Sequence, residues 1–319
     1  MAYSSGGLIE NTDYNNFING SNQLNTVWGV GTGNTGYGQT PIASVSSAGM
    51  VTAAQWATLI NTLNSITVHQ SGTPSGIFPV LPGSQINYLS TLGTAINTVY
   101  TNRLNFSLQS STTTGSTFSP NFSVGNQSGA STWTFTRTIS FSSGDAARYF
   151  FNAGGQLNFV SISASANDGT ARSSDWTNLL QNNFNGITAI RQASNGGRTG
   201  SGGTLNTNAT SLGYYNSTTT DQILVSITST GGGYTGDYMT VGYRTNGTQG
   251  SNSDKGSIIY LDFTVYSAAR TDGTPGGPGG AAGGYFNDSL NVTWNHRVDV
   301  VYPETTNLAT ASWGTVTIS

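Results

Sequence analysis

The chain has 319 residues, of which only 7% are charged, with ten Lys or Arg against thirteen Asp or Glu and a formal net charge of −3. Ordinary domains carry about a quarter. One Lys (Lys255) and no Cys exclude the strong basic stripe of a nucleic-acid binder and the thiols of a disulfide or zinc scaffold, while 35% hydrophobic and 11% aromatic residues give it the core that an ordinary disordered chain lacks.

A polar but uncharged surface packs against neighbours with little ionic desolvation cost, which suits an assembly subunit or a secreted β-protein. The length allows two or three domains. The start, Met1-Ala-Tyr-Ser-Ser-Gly-Gly, has neither the basic nor the apolar part of a signal peptide. No window approaches 18 uninterrupted apolar residues, so no membrane insertion is expected.

Residues 1–105 read as helical. Tyr14, Phe17, Ile18, Leu24 and Trp28 follow helical spacing, with Thr12 or Asp13 as cap, and the glycine-rich run 29–38 stops the helix. A second helix is expected from Thr52, where Thr52-Ala-Ala-Gln55 forms a capping box ahead of Trp56, Leu59, Ile60, Leu63 and Ile66. A third starts at Ser84 and carries Ile86, Leu89, Ile96, Val99 and Tyr100.

Residues 106–130 are rich in Ser, Thr and Gly and read as a linker or an irregular strand. From 131 onward the period becomes two. Trp133, Phe135, Arg137, Ile139 and Phe141 alternate with polar residues. The run from Arg148 to Ile162 reads as two strand pieces around Ala153-Gly154-Gly155. A helix near 174–187, capped by Ser173 or Ser174, carries Trp176, Leu179, Leu180, Phe184 and Ile187. Strands are expected at 222–229, 237–244, 257–267, 289–301 and 312–318, and the Gly/Pro loop 271–284 lies on the surface. The fold class is α+β: a small N-terminal helical region (1–105), a linker (106–130), and an antiparallel β-sandwich-like domain (131–319) with one inserted helix.

Little of this carries chemistry. Gly31-Thr-Gly33-Asn-Thr-Gly36 matches G-x-G-x-x-G, but it follows a helix and leads to Tyr37-Gly38-Gln39-Thr40-Pro41, so it reads as a loop and not a dinucleotide site. His69 and His296 fall in different regions and read as packing or hydrogen-bonded histidines. Asp237, Asp262 and Asp299 lie on different strands, and paired carboxylates would be the residues of a glycosidase; Asp262 and Asp299 fall in the polar registers, where solvated Asp belongs. Tyr214, Tyr215, Tyr234 and Tyr238 are the candidate ligand surface, because tyrosine supplies contact area with a polar tip. No catalytic, cofactor or metal-binding residue is assigned. The sequons at Asn105, Asn121 and Asn208 are ordinary for so Asn-, Ser- and Thr-rich a chain.

The order Asp13-Tyr14-Asn15, Val27-Trp28-Gly29-Val30-Gly31, Gly36-Tyr37-Gly38-Gln39, Gly49-Met-Val-Thr-Ala-Ala-Gln-Trp56 and His69-Gln70-Ser-Gly72 resembles a recurring module of virion structural proteins of tailed bacteriophages, notably marine and cyanobacterial ones. The segment Ala147-Arg148-Tyr-Phe-Phe-Asn152 through Leu157 is similar to such proteins too. The resemblance implies a non-enzymatic tail, neck or fibre component located in the virion and assembled in the host cytoplasm. It implies a homo-oligomer, trimer or hexamer, with other virion proteins as partners, and no active site.

On that reading Tyr14, Phe17, Trp28, Tyr37, Trp56, His69, Tyr88 and Tyr100 are the expected interface residues. Two alternatives are an adhesin tip whose tyrosine-rich sheet binds a host surface glycan, and a polysaccharide depolymerase.

Overall fold

The computed structural model describes residues 10–31, 33, 35–81, 86, 89–107, 109–125, 129–231, 234–247, 249, 256–269 and 289–319. The Gly/Pro loop 271–284 and Tyr88 lie outside these residues.

The helical region contains α1 (Asn11–Ile18), α2 (Leu24–Trp28), α3 (Ala53–Ser71) and α4 (Leu89–Thr101). The single helix expected over 13–28 is therefore two. The chain turns between them through Asn22, which sits at φ 66. The N-cap of α1 is Glu10, in a reciprocal capping box with Asp13. α3 starts on the expected Thr52–Gln55 box and ends on Gly72 in the left-handed conformation. The expected start of the third helix, Ser84, is outside the described residues. Trp56 is buried against Tyr14 and Phe17, with ring centroids 6.3 and 6.2 Å away.

Asparagine side chains hold the irregular backbone that follows. Asn15 donates to Val45 O (2.8 Å) and accepts from Val45 N (2.9 Å). Asn25 does the same with Ile42 (2.9 and 2.8 Å). Each carboxamide replaces a missing strand neighbour, which satisfies backbone groups that burial would otherwise leave unpaired.

The remainder is built on two antiparallel sheets. One contains β1 (Gln109–Thr113), β10 (Leu290–Pro303), β4 (Gln156–Ala166) and β5 (Gly186–Ile190) in that order, with β2 (Asn121–Val124) also paired to β10. The other runs β11 (Thr317–Ile318), β3 (Ser131–Ser140), β9 (Ile258–Ser267), β8 (Tyr238–Thr245), β7 (Gln222–Thr228) and β6 (Thr204–Asn208). Aromatic side chains of the two sheets meet: Phe159 of β4 stacks on Phe263 of β9 at 4.3 Å, and Phe122 of β2 touches Trp133 of β3 at 5.4 Å. The chain is thus a mixed α+β fold with two antiparallel sheets.

Period-two reasoning located β3, β7, β8, β9 and β10; within β10, Leu290, Val292, Trp294, His296, Val298 and Val300 are all buried. Three local readings change. The first piece of 148–162 is a helix, α5 (Gly144–Asn152): Ser143 caps it by accepting from Ala146 N, and its turns bury Ala147, Phe150 and Phe151. Residues 106–130 contain β1 and β2, both held by β10. The inserted helix is α6 (Ala171–Asn178), capped by Thr170, and continues as one π-helical segment, Leu179–Phe184. Asn185 at φ 55 ends it.

Candidate functional site

Seven of the eight residues expected at a subunit interface are described, and they sit inside the chain. Tyr14, Phe17, Trp28, Tyr37, Trp56 and His69 are all buried, and Tyr100 is half-buried against the same core. Tyr14 and Phe17 close on Trp56 within the helical region, and Trp28 Nε1 donates to Thr40 O, so their aromatic area is used within the fold.

Tyr37 and His69 belong to a polar seam between the two regions. The Tyr37 hydroxyl donates to Arg103 O (2.6 Å) and accepts from Gln70 Nε2 (3.0 Å). Burial, the largest influence, raises its pKa far above the usual range, so it stays a donor. His69 Nδ1 is 2.9 Å from Glu304 Oε1, and Glu304 Oε2 accepts from the Thr306 and Asn307 amides. Among the described residues His69 Nε2 has no hydrogen-bond partner, so none of their hydroxyls completes a Ser-His-acid relay. Gln39 ties the same region to the C-terminal segment, donating to Thr310 O (2.8 Å) and accepting from Thr310 N (2.9 Å).

The G-x-G-x-x-G loop takes a cation and not an anion. Arg148 of α5 is fully buried, and its Nη1 donates to Val30 O (2.7 Å) and Gly33 O (2.9 Å). Asn152 Nδ2 donates to Gly36 O (2.9 Å). A pyrophosphate needs backbone N–H groups facing it; here carbonyls face a guanidinium. Gly36 is required because a Cβ there would collide with the Gly29 and Val30 carbonyls.

Asp237, Asp262 and Asp299 each have separate partners. Asp237 is fully buried and accepts from Ser267 Oγ (3.0 Å) and Ala268 N (2.9 Å), with Arg172 Nη2 on the same Ser267 oxygen (2.9 Å). Asp299 accepts from Gly115 N and Arg297 Nε. Asp262 and Asp299, expected to be solvated, are 8% and 6% exposed, because arginines reach over them.

His296 is buried among Trp294, Phe159, Phe263 and Phe118, at 4.2 to 5.5 Å between ring centroids. Burial first, and the Arg137 charge second, push its pKa down to about 3. It is a neutral core residue.

Of the four tyrosines expected to form a ligand surface, Tyr214 and Tyr234 are buried and Tyr215 is partly buried against the core. Tyr214 OH donates to Gly256 O at 2.7 Å. These positions offer a ligand little or no area, which corrects the expectation. Tyr238 differs: it is half-buried on the outer face of the six-stranded sheet and stacks on Tyr266 at 4.6 Å. Pairing of β3, β9 and β8 places Thr134, Thr264 and Thr240 in the next row of that face, then Thr136, Asp262 and Gly242, then Thr138, Tyr260 and Arg244.

Arg244 lies 4.0 Å from the Tyr260 ring centroid; its Nε donates to Asp262 Oδ2 (2.9 Å) and forms an ion pair with Asp221 Oδ1 at 3.2 Å. Desolvation and the nearby Asp262 charge raise the Asp221 pKa, against the lowering effect of Arg244. Sequence reasoning missed Asp221, Arg244 and Tyr266 as a group. Their rows follow only from strand register, and register is a tertiary property.

Among the described residues no group of three His, Cys, Asp or Glu side chains is placed to hold a metal ion, and no helix is long and apolar enough to cross a membrane. No family model matches the chain, and comparison with curated proteins and with solved structures finds no match.

Proposed function

We propose that this chain is a non-enzymatic structural subunit of a tailed-phage virion, part of its tail, neck or fibre apparatus, assembled as a homo-oligomer with other virion proteins. The observation that carries this reading is where the scarce charges go. His69–Glu304, Arg148 on the 29–38 loop, and Asp237 and Arg172 on Ser267 tie together segments far apart in sequence. A chain that uses its ionic groups for internal ties retains a rigid shape and leaves a polar, uncharged exterior for neighbours. The N-terminal resemblance supplies the class of particle.

Contacts with neighbours then run through what the core leaves outside, notably Met50 and Leu81, which are 88% and 76% exposed. Large apolar side chains left in water favour association. Labelling this chain in purified particles, with sedimentation of the full-length protein, tests the reading. Trimers or hexamers, and label in the tail or neck, support it. A monomer at high concentration that is absent from particles overturns it.

A second reading, contact with a host surface glycan, is favoured by the stacked Tyr238–Tyr266 pair on the outer face of the six-stranded sheet. Loss of cell binding in Tyr238→Ala particles that are otherwise intact tests it.

A further inference from the structure

A groove of about 520 Å³ opens where the π-helical segment meets the loop that follows β5, lined by Ile162, Gln181, Asn182, Asn185, Thr199, Gly200 and Ser201. Its size falls within the range of small-molecule sites. No lining side chain carries a charge, one is aliphatic, and five are carboxamides or hydroxyls.

The walls are fixed mainly by backbone contacts and by the Thr199 hydroxyl, which donates to Asn185 O (2.9 Å), and these leave the Asn185 carboxamide and the Ser201 hydroxyl unused. Arg198 Nη1 donates to Asn183 O (2.6 Å) and Gly202 O (2.8 Å). Gly200 N donates to Phe184 O, Ser201 N to Asn182 O, and Thr199 N to Gly186 O. A Cβ at Gly200 would collide with the Asn182 and Asn183 carbonyls, so the loop reaches the π segment only with glycine there. The extra residue per turn of a π segment re-aims the side chains around it, and such segments recur at functional sites.

Gln181 accepts one long bond from Ala164 N (3.5 Å), and Asn182 donates to Asn178 Oδ1 (2.8 Å). The Asn185 carboxamide and the Ser201 hydroxyl make no hydrogen bond to described residues.

We propose that this groove binds a neutral saccharide unit. Carboxamides offer donor and acceptor together, and hydroxyls can reverse their role, which matches the paired donors and acceptors of adjacent sugar hydroxyls. An anion would find no cation here, since the Arg198 Nη1 donors face carbonyls. A cation would find no carboxylate. Ile162, 37% exposed, supplies an apolar contact for the C–H side of a sugar ring. This inference does not depend on the virion reading, because it concerns a site within one chain.

The test is titration of the full-length protein, followed by NMR, with the methyl glycosides of glucose, galactose, mannose and N-acetylglucosamine, and with glucuronate as the anionic comparison. At least one neutral glycoside should bind saturably. Asn185→Gly keeps the left-handed backbone at φ 55, and Ser201→Ala is a surface change; each should weaken binding roughly two- to tenfold. Both variants should melt close to the parent, and Tyr238→Ala should bind as the parent does. Absence of saturable binding to all four glycosides overturns the proposal. So does binding that survives the double variant, binding lost only in Tyr238→Ala, or tighter binding of glucuronate.

Discussion

His69 Nδ1 and Glu304 Oε1 lie 2.9 Å apart, joining the last turn of α3 to the residue after β10, with side chains 0% and 6% exposed. Burial alone would raise the Glu304 carboxyl, but the bonds from His69 and the Asn307 amide outweigh it and hold its pKa below the usual range. Glu304→Gln should therefore cost about 2 kcal/mol at neutral pH, because the charged acceptor of the His69, Thr306 and Asn307 hydrogen bonds is lost. A carboxylate with a depressed native pKa stabilises fully above its unfolded value of about 4.3 and loses that contribution as pH falls through the native value. The gap between urea melts of parent and variant should begin to close as pH falls below about 4.3; a constant gap down to pH 2 would contradict this assignment.

Arg148→Met should destabilise the fold by about 3 kcal/mol and speed amide exchange in the 29–38 loop, because the Val30 and Gly33 carbonyls lose their charged donor. Asp145, the acidic partner of Arg148, is 42% exposed, so Asp145→Asn should cost under about 1 kcal/mol. Equal losses in the two variants would mean that the ion pair, and not the loop, is what Arg148 serves.

His296 sets an acid limit. Its native pKa of about 3 lies below the unfolded value of 6.5, so between those values the unfolded chain binds the extra proton and stability falls as pH falls. The loss accumulates at up to about 1.4 kcal/mol for each pH unit crossed between the two values. His296→Phe, placed among four aromatic rings, should fold and show a flatter stability profile from pH 6.5 to 3. An unchanged pH profile in thermal melts would rule out His296 as the source.

Asp221 should behave in the opposite sense. Its native pKa is raised, so the folded form gives up stability as pH climbs through that value. Asp221→Asn removes the repulsion with Asp262 and should be neutral or slightly stabilising at pH 7. Asp262→Asn loses its bonds from Thr136 and Arg244 and should destabilise by about 1 kcal/mol. Denaturation midpoints of the two variants give the comparison directly.

What was legible in the sequence was periodic. Alternation located the central strands, and the Thr52–Gln55 box located the start of α3, because burial on one face and local capping are written in neighbouring residues. Side-chain destination was less legible. Tyr14, Trp28 and Trp56 read equally well as interface or core until the packing of the helical region on itself covered them. Tyr149-Phe150-Phe151 has strand composition, yet the Ser143 cap makes it helical. The face around Arg244 and the groove beside Asn185 are assembled from distant segments, which no local pattern encodes.

The carboxamide ties have a chemical lifetime. Asn195 donates to Ala209 O and Leu212 O and accepts from Gly197 N, and it is followed by Gly196, the neighbour that least obstructs attack of a backbone nitrogen on the side-chain amide. Deamidation there would turn a donor into an anion facing the carbonyls it once held. In the fold Gly196 N donates to Thr188 O at 2.7 Å and Asn195 is buried, so the attacking nitrogen is held away and mass gain at Asn195 should report opening of this loop and not mere age.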